Sequence, residues 1–163
     1  MDSTAREISS YTAEEFYKIA ETLPGRSELR RGEIVSLASP SRLHQHIAYR
    51  MHRVIEDHIR AHNGQCEVDG EIDVELDEKT VVVPDLAVIC DPSKLDDHGC
   101  KGAPDWIVEI LSTNRRDDLV LKLDLYQIAE GFKRFLALWL VLAIALGALA
   151  MVLMIKIPMK VGK

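Results

Sequence analysis

The chain has 163 residues, 47% of them hydrophobic and 28% charged, and a formal net charge of −6. That length holds one domain, with a core large enough to fold without disulfides. Residues 132–163 carry five basic side chains and no acid, so the first 131 residues hold the other 15 basic and all 26 acidic ones, a net of −11. Such an acidic body excludes strong nonspecific attraction to nucleic acid and leaves any such contact to a local basic patch.

The N-terminal residues contain no apolar signal region, so secretion is not expected. Three cysteines, Cys66, Cys90 and Cys100, form no Cys-x-x-Cys pair. Reduced thiols are the simplest reading.

Tyr11-Thr12-Ala13-Glu14-Glu15-Phe16 predicts a helix start. Thr12 is placed to cap, Glu15 to complete a capping box, and Tyr11 to pack on Phe16. Pro24-Gly25 ends this helix. Ser27 to Leu37 reads as a β-hairpin turning at Arg31-Gly32, a weaker turn signal than Asn-Gly or Asp-Gly. Ser39-Pro40-Ser41 opens a longer helix over 42–62, with Ile47, Met51, Val54, Ile55 and Ile59 at helical spacing toward the core and Gly64 closing it.

Cys66 to Leu76 reads as a half-exposed strand, from the alternation in Ile72-Asp73-Val74-Glu75-Leu76. Strands follow around Val81–Cys90 and Trp106–Leu111. A further helix runs from near Arg116 past Tyr126. The pattern of helix, hairpin, helix, three strands and helix predicts an α/β (α+β) sandwich around one mixed sheet.

From Phe135 to Ile155 no charge, amide or hydroxyl occurs, and Lys133-Arg134 and Lys156 bracket the run. At about 1.5 Å per residue it is long enough for a hydrocarbon core of about 30 Å. It predicts a transmembrane helix over 135–155, because a one-domain protein has few places to bury a helix on every face. The expected organisation is a domain over 1–131, a basic junction at 132–134, the spanning helix, and a basic tail at 156–163. The protein would then be a single-pass membrane protein with its domain on the cytoplasmic side, although the tail's lysines mildly oppose that orientation.

Two short apolar runs each carry a carboxylate. Asp85 follows Pro84, and Glu109 lies within Trp-Ile-Val-Glu-Ile-Leu. An acid after proline is commonly a turn residue. Glu109 says more, since burying it is costly unless it is paired, metal-bound or at an exposed edge. Paired carboxylates suit a hard cation such as Mg²⁺, which keeps water and phosphate oxygens in its shell. Lys122, on the following helix, is the cation available to offset developing charge. His58 and His62 lie four apart on one helix but lack further ligands, and a solvated pair is the simpler reading. Arg115, Arg116 and Lys101 read as loop charge before they read as phosphate contacts.

Pro84-Asp85 followed by Glu109 is similar to the PD-(D/E)XK nuclease superfamily. More specifically, four stretches resemble its restriction-endonuclease family often called Uma-two: Glu28 to Val35, His44-Gln45, Val83 to Val88, and Gly102 to Ser112. Asp118, Leu119, Lys122 and Tyr126 fit as well, and the resemblance covers residues 10–130. It implies a restriction-endonuclease-like mixed sheet flanked by helices and Mg²⁺-dependent (or Mn²⁺-dependent) cleavage of phosphodiester bonds, with DNA as the substrate. By motif, Asp85 and Glu109 would be metal ligands and Lys122 a lysine displaced from its usual place, where Leu111 stands. Glu28 or Glu33 would add an acid, and His44 is a further candidate.

A homodimer is one arrangement by which such an enzyme would cut both strands. Thr113-Asn114 stands where the family has proline after serine. After Ala129 the chain leaves the family pattern, so the fold is expected to be truncated at its last strands with one sheet edge unpaired. The alternatives are a membrane-anchored nuclease fold that binds without cutting, or the product of a frameshifted nuclease gene.

Overall fold

The computed structural model describes residues 10–111, 122, 124–126, 136–141 and 151–156. Helix α1 (Ala13–Ala20) starts at the expected capping box, with Glu15 N donating to Thr12 Oγ1 at 3.3 Å and Thr12 N donating to Glu15 Oε2 at 2.9 Å. Strands β1 (Ser27–Arg30) and β2 (Glu33–Ser36) form the expected hairpin. Arg31 (φ 52°) and Gly32 (φ 86°) both take the left-handed region at its tip, as a tight two-residue turn demands. Phe16 of α1 packs on Leu29 and Val81, so this helix is sealed to the sheet by one apolar contact set.

Helix α2 (Arg42–Ala61) is capped by Ser41, whose Oγ accepts from His44 N at 3.2 Å. Ile47, Met51 and Ile55 turn inward against Leu86, Val108 and Ile110. Val54, expected inward as well, is exposed, because it lies just off the buried stripe that Met51 and Ile55 share.

The expected strand from Cys66 to Leu76 is two strands, β3 (Glu67–Gly70) and β4 (Asp73–Asp77), and the stretch from Val81 to Cys90 is also two, β5 (Thr80–Val82) and β6 (Leu86–Ile89). Each pair is broken at a corner: Glu71 is left-handed at φ 55°, and Pro84 has no N–H to continue a ladder. The corners meet, with Glu71 N donating to Asp85 O at 3.3 Å. Strands β7 (Gly99–Lys101), not expected from sequence, and β8 (Trp106–Leu111) follow.

Among the described residues there are therefore two five-stranded sheets rather than one. The first runs β2-β1-β5-β4-β7 and is mixed, since β4 and β7 are parallel. The second runs β3-β6-β8-β10-β9, with every pairing antiparallel.

Strands β9 (Leu136–Val141) and β10 (Met151–Lys156) correct the sequence reading most sharply. The apolar run expected to cross a membrane as one helix supplies two strands, and β10 pairs along all six residues of β8. Among the described residues no helix is long and apolar enough to cross a membrane. The transmembrane helix over 135–155, and the single-pass membrane location built on it, are thereby overturned. So is the expected truncation, because two strands continue the sheet beyond β8. The physical reason is that backbone polar groups can be satisfied within one helix or across paired strands, and an uninterrupted apolar composition does not distinguish the two. The basic junction at 132–134 and residues 157–163 of the expected tail lie outside the described residues, as do Arg115, Arg116 and Asp118.

Cys66 and Cys90, facing positions at the ends of β3 and β6, are joined in a disulfide. This corrects the expectation of three reduced thiols; Cys100 is the free, buried one.

Candidate active site

The antiparallel register of β6 and β8 sets Leu86 opposite Val108. Continued by one residue, it sets Asp85 opposite Glu109. Two acids 24 positions apart in sequence thus become neighbours on adjacent strands, at the corner where the chain passes between sheets.

Asp85 Oδ2 accepts from Ile110 N at 2.6 Å and lies 3.1 Å from His44 Nε2. His44 reaches it from the first turn of α2, where the Ser41 cap fixes the start of the helix. Glu109 Oε1 accepts from Tyr126 Oη at 2.5 Å and from Lys122 Nζ at 3.1 Å. Residues 122 and 124–126 are helical, so Lys122 and Tyr126, four apart, reach the same carboxylate from successive turns.

Of the two further acids, the structure brings in Glu28 and leaves out Glu33. Glu28 is fully buried on β1, whereas Glu33 is exposed on β2. Glu28 Oε1 accepts from Val83 N at 2.9 Å and lies 3.3 Å from Lys122 Nζ. The Val83 N–H, diverted from the ladder just before Pro84, is thereby satisfied. Arg30 clamps the other oxygen of Glu28, its Nη2 and Nε at 2.5 and 2.7 Å from Oε2. Lys122 is thus shared by Glu28 and Glu109, and its ammonium also approaches Val83 O at 3.4 Å.

Burial outweighs the Lys122 charge at Glu109 and raises its carboxyl to about 7; the charge on Asp85 adds to the rise, and the Tyr126 and Lys122 hydrogen bonds oppose it. Burial likewise raises the Tyr126 hydroxyl well above the usual phenol value, with the Glu109 carboxylate contributing further. Tyr126 and Arg30 carry no assigned role in the sequence reading. For Tyr126 the signal was its four-residue spacing from Lys122; for Arg30, two positions from Glu28 on a strand, it was a shared face.

A cleft of about 350 Å³ opens over Asp85, His44 and Lys122, with Arg26, Arg30 and Ser39 in its walls. Arg26 is held by Glu71, bonded to its Oε2 at 2.9 Å and to its backbone oxygen. The cleft lining therefore holds two carboxylates, Asp85 and the Glu71 that pairs with Arg26, one imidazole and three cationic groups. Glu28 and Glu109 are more deeply buried than Asp85, with side-chain exposures of 0%, 7% and 13%.

Asp105, beside Glu109 in the sequence motif, serves the fold: its Oδ2 accepts from Cys90 N at 2.7 Å. The His58 and His62 rings lie against each other, tilted by 36° with centroids 4.2 Å apart, and neither lines this cleft. Among the described residues no group of three or more His, Cys, Asp or Glu side chains that could hold a metal ion is found.

The comparison with curated proteins gave no match. Among solved structures, the chain is similar to "a putative nuclease belonging to DUF820 from Anabaena variabilis ATCC 29413", with a TM-score of 0.56 and 25% identity over 80% of this chain and 73% of that one. The Uma2 family model matches residues 13–139 of the 163. With its acids paired at a sheet corner and most of its length matched, the chain belongs to the Uma2 family, described as "Putative restriction endonuclease".

Proposed function

We propose that this protein is a divalent-metal-dependent endonuclease that hydrolyses phosphodiester bonds in DNA. The observation that carries the reading is the meeting of Asp85 and Glu109 on paired strands, with Lys122 on the inner carboxylate and the cleft opening over Asp85. Family membership supports the reaction class.

The donor chemistry fits a hard cation. The short contacts end on Oδ2 of Asp85 and on Oε1 of Glu109, so each acid has a second oxygen to offer. Two carboxylates are an ordinary protein share for Mg²⁺ or Mn²⁺, with water and phosphate oxygens making up the rest. When bound, the ion supplies Lewis-acid charge to the scissile phosphate and acidity to a water.

The chain's own residues have separate tasks. Ile110 N and His44 hold Asp85 in one orientation at the floor of the cleft. Tyr126 holds Glu109. Lys122 brings positive charge close to where the phosphorane's negative charge develops. Arg26 and Arg30 line the route by which a phosphate enters.

Supercoiled plasmid incubated with Mg²⁺ or Mn²⁺ tests the proposal. The wild type should nick or linearise it, while Asp85→Asn and Glu109→Gln should lose at least a hundredfold in rate. Cleavage that persists in both variants defeats the assignment.

A further inference from the structure

Seven arginines lie among the described residues, and they divide sharply by partner. Arg26, Arg30, Arg31 and Arg60 each lie within 4 Å of a carboxylate, on Glu71, Glu28, Asp124 and Glu56 respectively. Arg42, Arg50 and Arg53 make no ion pair among the described residues, and all three are on α2. They are exposed, as are His46 and Tyr49. Positions 42, 46, 49, 50 and 53 recur at intervals of three and four, so they form a single stripe along the helix. The Arg53 guanidinium sits 6.0 Å from the centre of the Tyr49 ring, and that ring is 62% exposed.

The stripe is also where the acidic body has no acid. None occurs between Glu33 and Glu56, in a domain whose first 131 residues carry −11. Exposed arginines on an acidic protein ordinarily take a nearby carboxylate, as Arg26, Arg31 and Arg60 do. Three that take none among the described residues, on one helical face that lacks acids, make a local positive strip in a repulsive field. The same helix begins at the cleft, since His44 in its first turn lies 3.1 Å from Asp85. From Arg42 to Arg53 the helix rises about 16 Å, comparable to about five base pairs of duplex.

We infer that the Arg42–Arg53 face of α2 is the docking surface for the phosphate backbone of duplex DNA, delivering the strand to the cleft at the N-terminal end of the helix. The inference rests on the phosphodiesterase reading above and adds where the substrate lies. The arginines neutralise successive phosphates, and Tyr49, between them, offers a hydroxyl and a ring face. Contacts of this kind position a duplex without reading its sequence. The acidic remainder keeps the rest of the surface clear of DNA, so the approach is confined to one side.

The test is fluorescence anisotropy of a labelled 20-base-pair duplex against the full-length protein in EDTA, over a series of salt concentrations. The triple variant Arg42→Gln/Arg50→Gln/Arg53→Gln should weaken binding at least tenfold and flatten the dependence of log K on log salt by about 2 to 3. A charge-matched control off this helix, Lys18→Gln/Arg31→Gln/Lys79→Gln, should bind within twofold of the wild type. Circular dichroism confirms that both fold, as exposed substitutions should.

Equal affinity of wild type and α2 variant overturns the inference, and so does equal weakening by both triples. It is overturned too if a polyglutamate peptide binds with the same dependence on the three arginines, which would point to an acidic protein partner. Plasmid cleavage by the wild type separates this from the proposed activity: binding without cleavage leaves the surface standing and removes the nuclease. Cleavage unaffected by the α2 variant leaves the nuclease and removes the surface.

Discussion

Tyr126 donates its hydroxyl to Oε1 of Glu109 at 2.5 Å, the same oxygen that Lys122 approaches at 3.1 Å. A hydroxyl and an ammonium thus converge on one buried carboxylate, and burial still lifts its pKa to about 7. Glu109 therefore changes charge near neutral pH.

That shift has a sign for stability. A carboxyl raised above its unfolded value of about 4.5 binds its proton more tightly in the native state. Its contribution is full below pH 4.5 and is lost as the pH rises through about 7. For a shift of this size the loss is on the order of 3 kcal/mol. In EDTA, urea denaturation should show the wild type less stable at pH 8 than at pH 5 by a margin that Glu109→Gln removes. An identical pH dependence in both proteins would contradict the assignment.

Tyr126→Phe isolates the hydroxyl. The ring, fully buried among Val74, Ile107 and Leu125, keeps its packing. Loss of a hydrogen bond to a charged group costs about 1.5 to 3 kcal/mol. Because that bond favours the ionised form, the Glu109 transition should also move to higher pH. A variant with unchanged stability and an unchanged transition would show that the hydroxyl does not hold the carboxylate.

Lys122→Met should be among the most damaging single changes. It leaves Glu28 and Glu109 without their shared ammonium, and breaking one side of a buried ion pair costs about 3 to 5 kcal/mol. Glu28 retains Arg30, so Glu109 bears most of the effect and should stay protonated to still higher pH. Adding Glu109→Gln should recover part of the loss, and the double-mutant cycle measures how much. Strict additivity would mean that the two groups do not interact.

The parts of this arrangement that local chemistry specifies were legible in the sequence. Thr12 and Glu15 announced the capping box, and Arg31-Gly32 announced the hairpin. Asp85, Glu109 and Lys122 were singled out together, and the structure sets Asp85 and Glu109 on facing strand positions with Lys122 on Glu109. The choice between Glu28 and Glu33 was not legible. They sit on opposite sides of the turn, and only tertiary packing buries β1 while leaving β2 at the surface. The two-sheet architecture was hidden because apolar alternation runs through Gly70-Glu71 and Pro84-Asp85 without showing that the chain changes sheets there. The largest error came from 135–155, where composition alone suits a spanning helix as well as buried strands.

Gly99 gives a test of the parallel β4–β7 pairing in the first sheet. Its φ of 149° lies in the range that favours glycine, and an added Cβ would stand 2.2 Å from the Asp73 carbonyl oxygen. That carbonyl belongs to the backbone of β4 and cannot rotate away. Gly99→Ala should therefore destabilise by more than about 1 kcal/mol, where a compatible glycine replacement would stabilise, with a lower unfolding midpoint and little change at Glu109. An unaltered midpoint would mean that β7 does not approach β4 this closely.

The most consequential test concerns β10. All six residues of β8, including Glu109, pair with β10, and Leu153 stands opposite Glu109. A chain ending at residue 134 would strip this partner away and leave the backbone of β8 as an open edge, ready to pair with another molecule. The membrane reading of 135–155 predicts the opposite: removing a spanning helix should yield a better-behaved domain. The sheet topology predicts that the shortened protein self-associates in analytical ultracentrifugation, loses its cooperative unfolding transition and loses the pH dependence due to Glu109. A monomeric shortened protein that unfolds cooperatively and retains that dependence would refute the β8–β10 pairing. Glu109 lies on the strand that loses its neighbour, so this experiment tests the fold and the integrity of the candidate site together.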